Sequence, residues 1–162
     1  STKGYNVMFR RYIIAVSALL SALAAPVAAE SAGPVALVGD VKQDRVVVEN
    51  GESRHVLVAP TKVVPGDRLV FTTTYRNNGT KPIENFVVTN PVPPPVAVSD
   101  AGDTDVSVDG GAHWGRLAAL KVADGKGGER AAEAADITHL RWTISLIAPG
   151  AAGTLEYRAV VR

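Results

Sequence analysis

Three aspartates in the segment 100–114 have the residue type and part of the spacing of a calcium loop. Asp105 and Asp109 belong to the pattern Asp-x-Ser-x-Asp-Gly, and Asp103 can add further oxygens. Carboxylate oxygens are the ligands that Ca²⁺ prefers. The twelfth position of the pattern, however, holds Arg116, a cation, where a bidentate glutamate belongs. We interpret the segment as a solvated acidic loop, and weak calcium binding is the alternative.

The same segment contains a second pattern, which favours a tight turn. Ser107, Asp109, Gly111 and Trp114 have the spacing Ser-x-Asp-x-Gly-x-x-Trp. The carboxylate can cap the turn, glycine tolerates unusual backbone angles, and the tryptophan can pack beneath. The spacing resembles the Asp-box of sialidases and related propellers, where it is a hairpin device remote from the catalytic pocket. Because a propeller needs several blades and this chain is too short, we expect a structural turn.

Residue types that perform catalysis are not grouped in this sequence. His55, His113 and His139 are far apart and lack the spacing of metal ligands. No nucleophile elbow, phosphate-binding loop or dinucleotide fingerprint is present. Four aromatic residues could line a sugar platform, although core packing explains their positions better: Tyr75, Trp114, Trp142 and Tyr157. We predict that the chain is not an enzyme and needs no cofactor.

Period-two alternation of apolar side chains predicts that strands position these residues. Residues 68–76 and 83–89 flank Asn77-Asn78-Gly79, which is typical of a tight hairpin turn. Residues 138–145 and 154–162 predict a closing hairpin with one apolar face. These two hairpins are the strongest indications of an all-β domain.

Shorter alternating segments complete the predicted fold. They are residues 35–48 and 54–59 around the turn 49–52, and residues 105–108 and 114–117 around a glycine turn. Residues 129–136 predict a loop with one helical turn rather than a core helix. The fold class is therefore all-β, an immunoglobulin-like antiparallel β-sandwich of about seven to nine strands.

Residues 8–29 have the three parts of a secretory signal. Two arginines precede an apolar run over residues 12–25, and small residues then predict cleavage after Ala29. An uncleaved anchor helix is the alternative. Residues 1–7 look like upstream translation or added sequence. We expect a single sandwich domain over residues 30–162, exported to the periplasm or the cell surface.

Charge and composition narrow the range of partners. The chain has 17 Lys+Arg and 16 Asp+Glu; residues 1–29 hold three of the basic and none of the acidic residues, which leaves 14 against 16. The basic side chains are scattered, so we expect neither nucleic-acid binding nor attachment to an anionic lipid surface. No later apolar run is long enough to span a membrane. Cysteine is absent, so packing and hydrogen bonds must hold the fold together.

Turn and strand motifs recur along most of the predicted mature chain. They are Pro65-Gly66-Asp67, Tyr75-Arg76-Asn77-Asn78-Gly79, Val87-Val88-Thr89-Asn90-Pro91-Val92-Pro93, Trp142, Pro149-Gly150 and Leu155-Glu156-Tyr157. This set resembles a bacterial cell-surface repeat family, the domain of unknown function eleven. The resemblance implies an immunoglobulin-like sandwich in the cell envelope, with no family-wide catalytic residues. The chain differs from the family in carrying a single copy and in having Asn90 where aspartate is usual.

Two hypotheses for function follow. The first is an exported, non-catalytic cell-envelope module with a structural role or a protein partner. An exposed sheet edge would bind that partner, and residues 35–48 and the final strand are the candidate edges. The alternative is a small carbohydrate- or calcium-dependent binding module that uses the 100–114 loop.

Overall fold

The computed structural model describes residues 33–162. The predicted signal peptide, residues 8–29, and residues 1–7 lie outside the described residues. Ten strands and two 3₁₀ turns follow one another in the described part: β1 (Val35–Glu49), β2 (Glu52–Val58), β3 (Arg68–Asn77), β4 (Ile83–Pro91), β5 (Val96–Asp100), β6 (Asp105–Ser107), a 3₁₀ turn (Leu117–Ala119), β7 (Lys121–Ala123), β8 (Glu129–Ala131), a second 3₁₀ turn (Ala134–Asp136), β9 (His139–Ile147) and β10 (Ala152–Val161). Over residues 33–162, no helix is long and apolar enough to cross a membrane.

Eight of these strands form two antiparallel sheets. The larger sheet has the strand order β2-β1-β3-β10-β5, and the smaller has the order β4-β9-β6. Strands β7 and β8 pair with each other as a separate ribbon. Buried side chains from both sheets meet in one core, including Leu69 and Tyr157 from the larger sheet and Leu140 and Val106 from the smaller. The predicted all-β sandwich is confirmed.

Alternation along the strands explains how the core is filled. In β3, Leu69, Phe71 and Thr73 point to the core side, since every second residue of a strand faces the same way. Phe71 stacks on Tyr157 of the neighbouring β10, with ring centroids 4.7 Å apart and planes 4° from parallel. Aromatic pairs of this kind contribute packing energy beyond the area they bury.

The predicted hairpin of residues 68–76 and 83–89 is wrong. β3 belongs to the larger sheet and β4 to the smaller, so the segment between them crosses from one sheet to the other. Asn78 does not have the positive φ that a two-residue hairpin turn demands. The Asn-Asn-Gly sequence is therefore a crossover and not a tight turn.

Asn77 explains why the chain crosses here instead of turning back. Its side chain is completely buried and donates hydrogen bonds to the carbonyl oxygens of Lys81 (2.8 Å) and Ile147 (3.0 Å). Its Oδ1 accepts a hydrogen bond from the N–H of Gly79 at 2.9 Å. A Cβ at Gly79 would lie 2.8 Å from the Cβ of Pro34, so this position has no room for a side chain. Burial of a fully bonded amide thus replaces the expected turn.

The predicted closing hairpin is also wrong. Residues 138–145 lie in and just before β9 of the smaller sheet, whereas residues 154–162 lie in and just after β10 of the larger. The connection between them meets the first crossover, because the N–H of Gly150 donates to the carbonyl of Asn77 (2.8 Å) and the N–H of Asn77 donates to the carbonyl of Ala151 (2.9 Å). The β3–β4 and β9–β10 connections, two of the four between the sheets, are therefore bonded to each other at Asn77.

The hairpin of residues 35–48 and 54–59 is confirmed as β1 and β2. Asn50 and Gly51 form its turn, with φ values of 53° and 83°. Both central residues of a type I′ turn need positive φ, which Asn and Gly supply at the lowest cost. The Asn50-Gly51 pattern therefore correctly predicts the hairpin turn between β1 and β2.

Two shorter predictions are met in part. Residues 105–108 and 114–117 pair through one β-bridge, Val106↔Gly115, and β6 forms its ladder with β9. Residues 129–136 contain the expected single helical turn, the 3₁₀ turn Ala134–Asp136, together with the short strand β8. Neither segment forms part of a long hairpin.

Candidate interaction surface

Ser107, Asp109, Gly111 and Trp114 lie together in one turn after β6. The hydroxyl of Ser107 donates to Oδ1 of Asp109 at 2.7 Å, and the N–H of Gly111 donates to that hydroxyl at 2.9 Å. Trp114 closes the turn by donating its Nε1–H to the carbonyl of Gly111 at 2.9 Å. Gly111 has a φ of 92°, which glycine adopts without strain. The spacing therefore describes a turn whose four motif residues are hydrogen-bonded to one another.

Asp109 is the electrostatic centre of this turn. Its Oδ1 accepts hydrogen bonds from the N–H groups of Ala112 (3.1 Å) and His113 (3.0 Å), and its Oδ2 lies 2.6 Å from Nδ1 of His113. The backbone N–H of His113, then the His113 side chain and the Ser107 hydroxyl, hold the pKa of Asp109 far below its ordinary value. The carboxylate is thus committed to the turn as an anion.

The charge of Asp109 should make the turn sensitive to acid. A carboxylate with a lowered folded pKa stabilises the fold above its ordinary pKa of 3.8, and that contribution is lost as the pH falls below it. We expect Asp109→Asn to lower Tm at pH 7, with the difference from the original chain narrowing below pH 3.8. Thermal melts from pH 7 to pH 2 measure this, and a difference that does not change with pH contradicts it.

The calcium candidates Asp103, Asp105 and Asp109 are not brought into one site. Arg116 lies 2.7 Å from Asp103 and 3.7 Å from Asp105, and Arg141 lies 3.9 Å from Asp105. Within residues 33–162, no group of three or more histidine, cysteine or acidic side chains is placed to hold a metal ion. The two carboxylates face cations, and the third is bonded within its own turn.

Calcium is therefore expected to leave the thermal stability of the chain unchanged. A ligand that binds only the folded state raises Tm, and the rise continues with the logarithm of ligand concentration above Kd. Melts with and without millimolar calcium, at constant ionic strength set by sodium chloride, give the comparison. A rise in Tm that grows with calcium concentration and disappears in Asp105→Asn would contradict this expectation.

Three of the four aromatic residues considered for a sugar platform have their ring faces covered. The guanidinium of Arg141 lies 4.3 Å above the ring of Trp114, so that ring face is covered. Trp142 packs against the core, and Tyr157 is buried beneath Phe71. Burial also raises the pKa of Tyr157 well above its ordinary value. These aromatic faces are used for packing.

Each of the three histidines contacts a different partner. Nδ1 of His55 lies 2.9 Å from Asp44, and Nδ1 of His139 lies 3.1 Å from the hydroxyl of Thr138. His113 is bound to Asp109 within the turn. The structure therefore keeps the three imidazoles in separate environments.

A two-stranded arm, residues 45–58, extends beyond the third strand of the larger sheet. β1 has 15 residues but pairs with β3 only from Val35 to Asp44. From there to its end, the neighbour of β1 among the described strands is β2, whose far side has no strand beside it. A two-stranded ribbon has little core of its own and is marginally stable in water.

One face of the arm carries exposed apolar side chains. Val46, Val48 and Leu57 are 58%, 67% and 53% exposed. They share the face that points away from the core, because Val46 and Val48 are two residues apart and Leu57 is paired with Asp44. We call these three residues the apolar row. Exposed apolar groups that lie together mark sites where proteins meet.

The charged groups around the apolar row are already paired. The carboxylate of Asp44 is 6% exposed and lies 2.9 Å from His55 and 3.8 Å from Arg158 of β10. Nearer the tip, Arg54 forms a salt bridge with Glu49 at 2.7 Å. These contacts tie the base of the arm to the sandwich and leave the apolar row as its uncovered part.

The predicted sheet edges are open over part of their length. β1 lies between β2 and β3 only at residues 43–44; residues 35–42 are open on the β2 side and residues 45–49 on the β3 side. The final strand, β10, pairs with both β3 and β5 over residues 158–160 and is open on the β5 side over residues 152–157. β2 is the strand of the arm whose entire outer edge is free within the described part of the chain.

The arm thus combines a free backbone edge with exposed apolar side chains. The arm protrudes because β1, with 15 residues, is longer than its neighbour β3, with 10.

The resemblance to the domain of unknown function eleven stays a prediction. Comparison with protein-family models, with curated proteins and with solved structures found no match to this chain.

Proposed function

We propose that this chain is an exported, non-catalytic module of the cell envelope that binds a protein through its arm. The apolar row beside the free edge of β2 carries the proposal. A free edge can accept a further strand through backbone hydrogen bonds, and apolar side chains beside it supply contact area. Both requirements for strand addition are met by residues 45–58.

The assignment as non-catalytic is supported by how the reactive side chains are used. His55, His113 and His139 each contact a separate partner, and Asp109 accepts hydrogen bonds from its own turn. A nucleophile needs a base within hydrogen-bond reach, and a general acid or base needs a site for substrate beside it. The described side chains are arranged for structure.

Photo-crosslinking in producing cells tests the binding proposal. A photoreactive amino acid at Val48 places the probe in the apolar row, and the same probe at Thr143, exposed on β9 of the other sheet, is the control. We expect protein adducts from position 48 and none from position 143. Equal labelling from both positions, or none from position 48, would remove the arm as the binding surface.

Export has its own test. The pattern of residues 8–29 favours cleavage after Ala29, so protein recovered from the cell envelope should begin at Glu30. Cell fractionation followed by N-terminal sequencing measures both location and cleavage. Recovery of the chain from the cytoplasm with residues 8–29 intact would overturn the export part of the proposal.

A further inference from the structure

We infer that the partner of the arm is a second copy of this chain, and that the two β2 strands pair antiparallel about a twofold axis at Val56. The inference rests on the proposed function, since it assigns the partner of the same surface. Pairing about a twofold axis joins identical surfaces, and this is the commonest symmetry of protein dimers. The edge of the arm must therefore be complementary to the same edge of a second copy.

The side chains of β2 select one register. An axis at Arg54 would place two guanidinium groups directly opposite each other, which is destabilising. An axis at His55 would place the two imidazoles opposite each other and each Leu57 opposite Ser53 of the other copy. An axis at Leu57 would pair only residues 56–58, because β2 ends at Val58. An axis at Val56 pairs residues 54–58, with the two valines opposite each other and Leu57 opposite His55. This last register opposes no like charges and joins apolar groups.

This register also brings together the leucines of the apolar row. Leu57 of each copy lies diagonal to Leu57 of the other, a spacing of about 7–8 Å that large side chains bridge. Val46 pairs with His55, so it lies diagonal to Leu57 of its own arm on the same face. The two ribbons become one four-stranded sheet, which relieves the weakness of an isolated ribbon.

Charges on the opposite face of the arm do not prevent this pairing. Arg45 pairs with Val56 within each copy, so the two Arg45 residues are separated by three strand spacings, about 14 Å. That distance exceeds the screening length of about 8–10 Å at physiological salt. Each Arg45 also donates to Oε1 of Gln43, at 3.0 Å and 2.8 Å.

β2 lacks most of the devices that normally block an exposed edge. Proteins protect edges with charged side chains, especially lysine, and with proline, bulges or short strands. The seven residues of β2 contain neither proline nor lysine and pair with β1 without a bulge, and their two charged side chains, Glu52 and Arg54, lie near the turn. Pro60 follows just beyond the strand and limits pairing to residues 54–58. A second copy supplies a strand of this same limited length.

Disulfide trapping tests the register directly, because the chain has no cysteine. In Val56→Cys the two sulfurs would meet at the axis, where paired Cα atoms about 4.5–5.5 Å apart allow a disulfide. We expect mild oxidation of the full chain to convert Val56→Cys to covalent dimer about tenfold faster than His55→Cys or the control Thr143→Cys. Faster linkage at position 55, or equal rates at all three positions, overturns the proposal.

Sedimentation velocity tests the association without a covalent bond. Because strand pairing buries a small interface, we expect a reversible dimer with a dissociation constant on the order of 10 micromolar. Leu57→Lys should weaken it about tenfold or more, since two lysines would then lie across the axis. Leu146→Lys is the matched control, because Leu146 is 57% exposed and lies opposite Glu84, as Leu57 lies opposite Asp44.

The outcomes separate the identity of the partner from the function itself. A chain that stays monomeric at all concentrations, yet crosslinks from position 48 to a different protein, overturns the second copy and leaves the binding function standing. A chain that neither dimerises nor crosslinks from position 48 overturns both. Dimers that form equally in Leu57→Lys and Leu146→Lys show that another surface is used, which also overturns the inference.

Discussion

Replacing Asn77 with alanine is expected to lower the free energy of unfolding by about 2–4 kcal/mol. The side chain is fully buried, and its amide donates to the carbonyls of Lys81 and Ile147 while its Oδ1 accepts from Gly79. Alanine would leave two carbonyls and one N–H without partners at the point where the β3–β4 and β9–β10 connections meet. A buried polar group without a partner costs more than the hydrogen bond itself contributes.

Urea denaturation of Asn77→Ala beside Asn78→Ala measures the effect. Asn78 is the exposed neighbour, and it contributes its backbone N–H, not its side chain, to the hydrogen bond with Pro34. The control should change stability by less than about 0.5 kcal/mol. Similar losses in the two variants would show that the segment acts as an ordinary surface turn.

Leu140→Ala should be the second strongly destabilising change, by about 3–4 kcal/mol. Leu140 has no exposed surface, and it lies in the core cluster with Leu69 and Val106. Its removal loses burial energy and leaves a cavity between the two sheets. The control is Leu146→Ala in the same strand, where 57% exposure predicts a loss of about 0.5 kcal/mol or less. Equal losses would mean that the sheets do not pack as described.

The fold class could be predicted from local sequence, but the pairing of strands could not. Alternating apolar residues and turn signals identified the strands, and Asn50-Gly51 correctly marked a hairpin. Asn77-Asn78-Gly79 presents nearly the same local signal and gives a crossover. The difference is set by Ile147, whose carbonyl accepts from Asn77 across seventy residues of sequence. A hydrogen bond between residues so far apart in sequence cannot be predicted from a local pattern.

The candidate site shows the same division between local and distant causes. The turn around Asp109 could be predicted from spacing, because its hydrogen bonds join residues within four positions of one another. The arm was missed, because exposure of Val46 and Leu57 depends on where β3 ends. One signal was present: the alternation that became β1 covers 15 residues, against 10 in β3, and mean strands have about five or six. Such a length mismatch indicates a protruding hairpin.

The position of β10 determines when the larger sheet can be completed. β10 lies between β3 and β5, and it pairs with β3 from Arg76↔Ala152 to Arg68↔Val160. Pairings between segments so far apart in sequence form slowly. During synthesis, β1, β2 and β3 emerge long before the strand that must cover the other side of β3. A nascent chain therefore leaves that side of β3 uncovered until β10 has been made, and partly folded chains of this kind expose strand edges that favour aggregation.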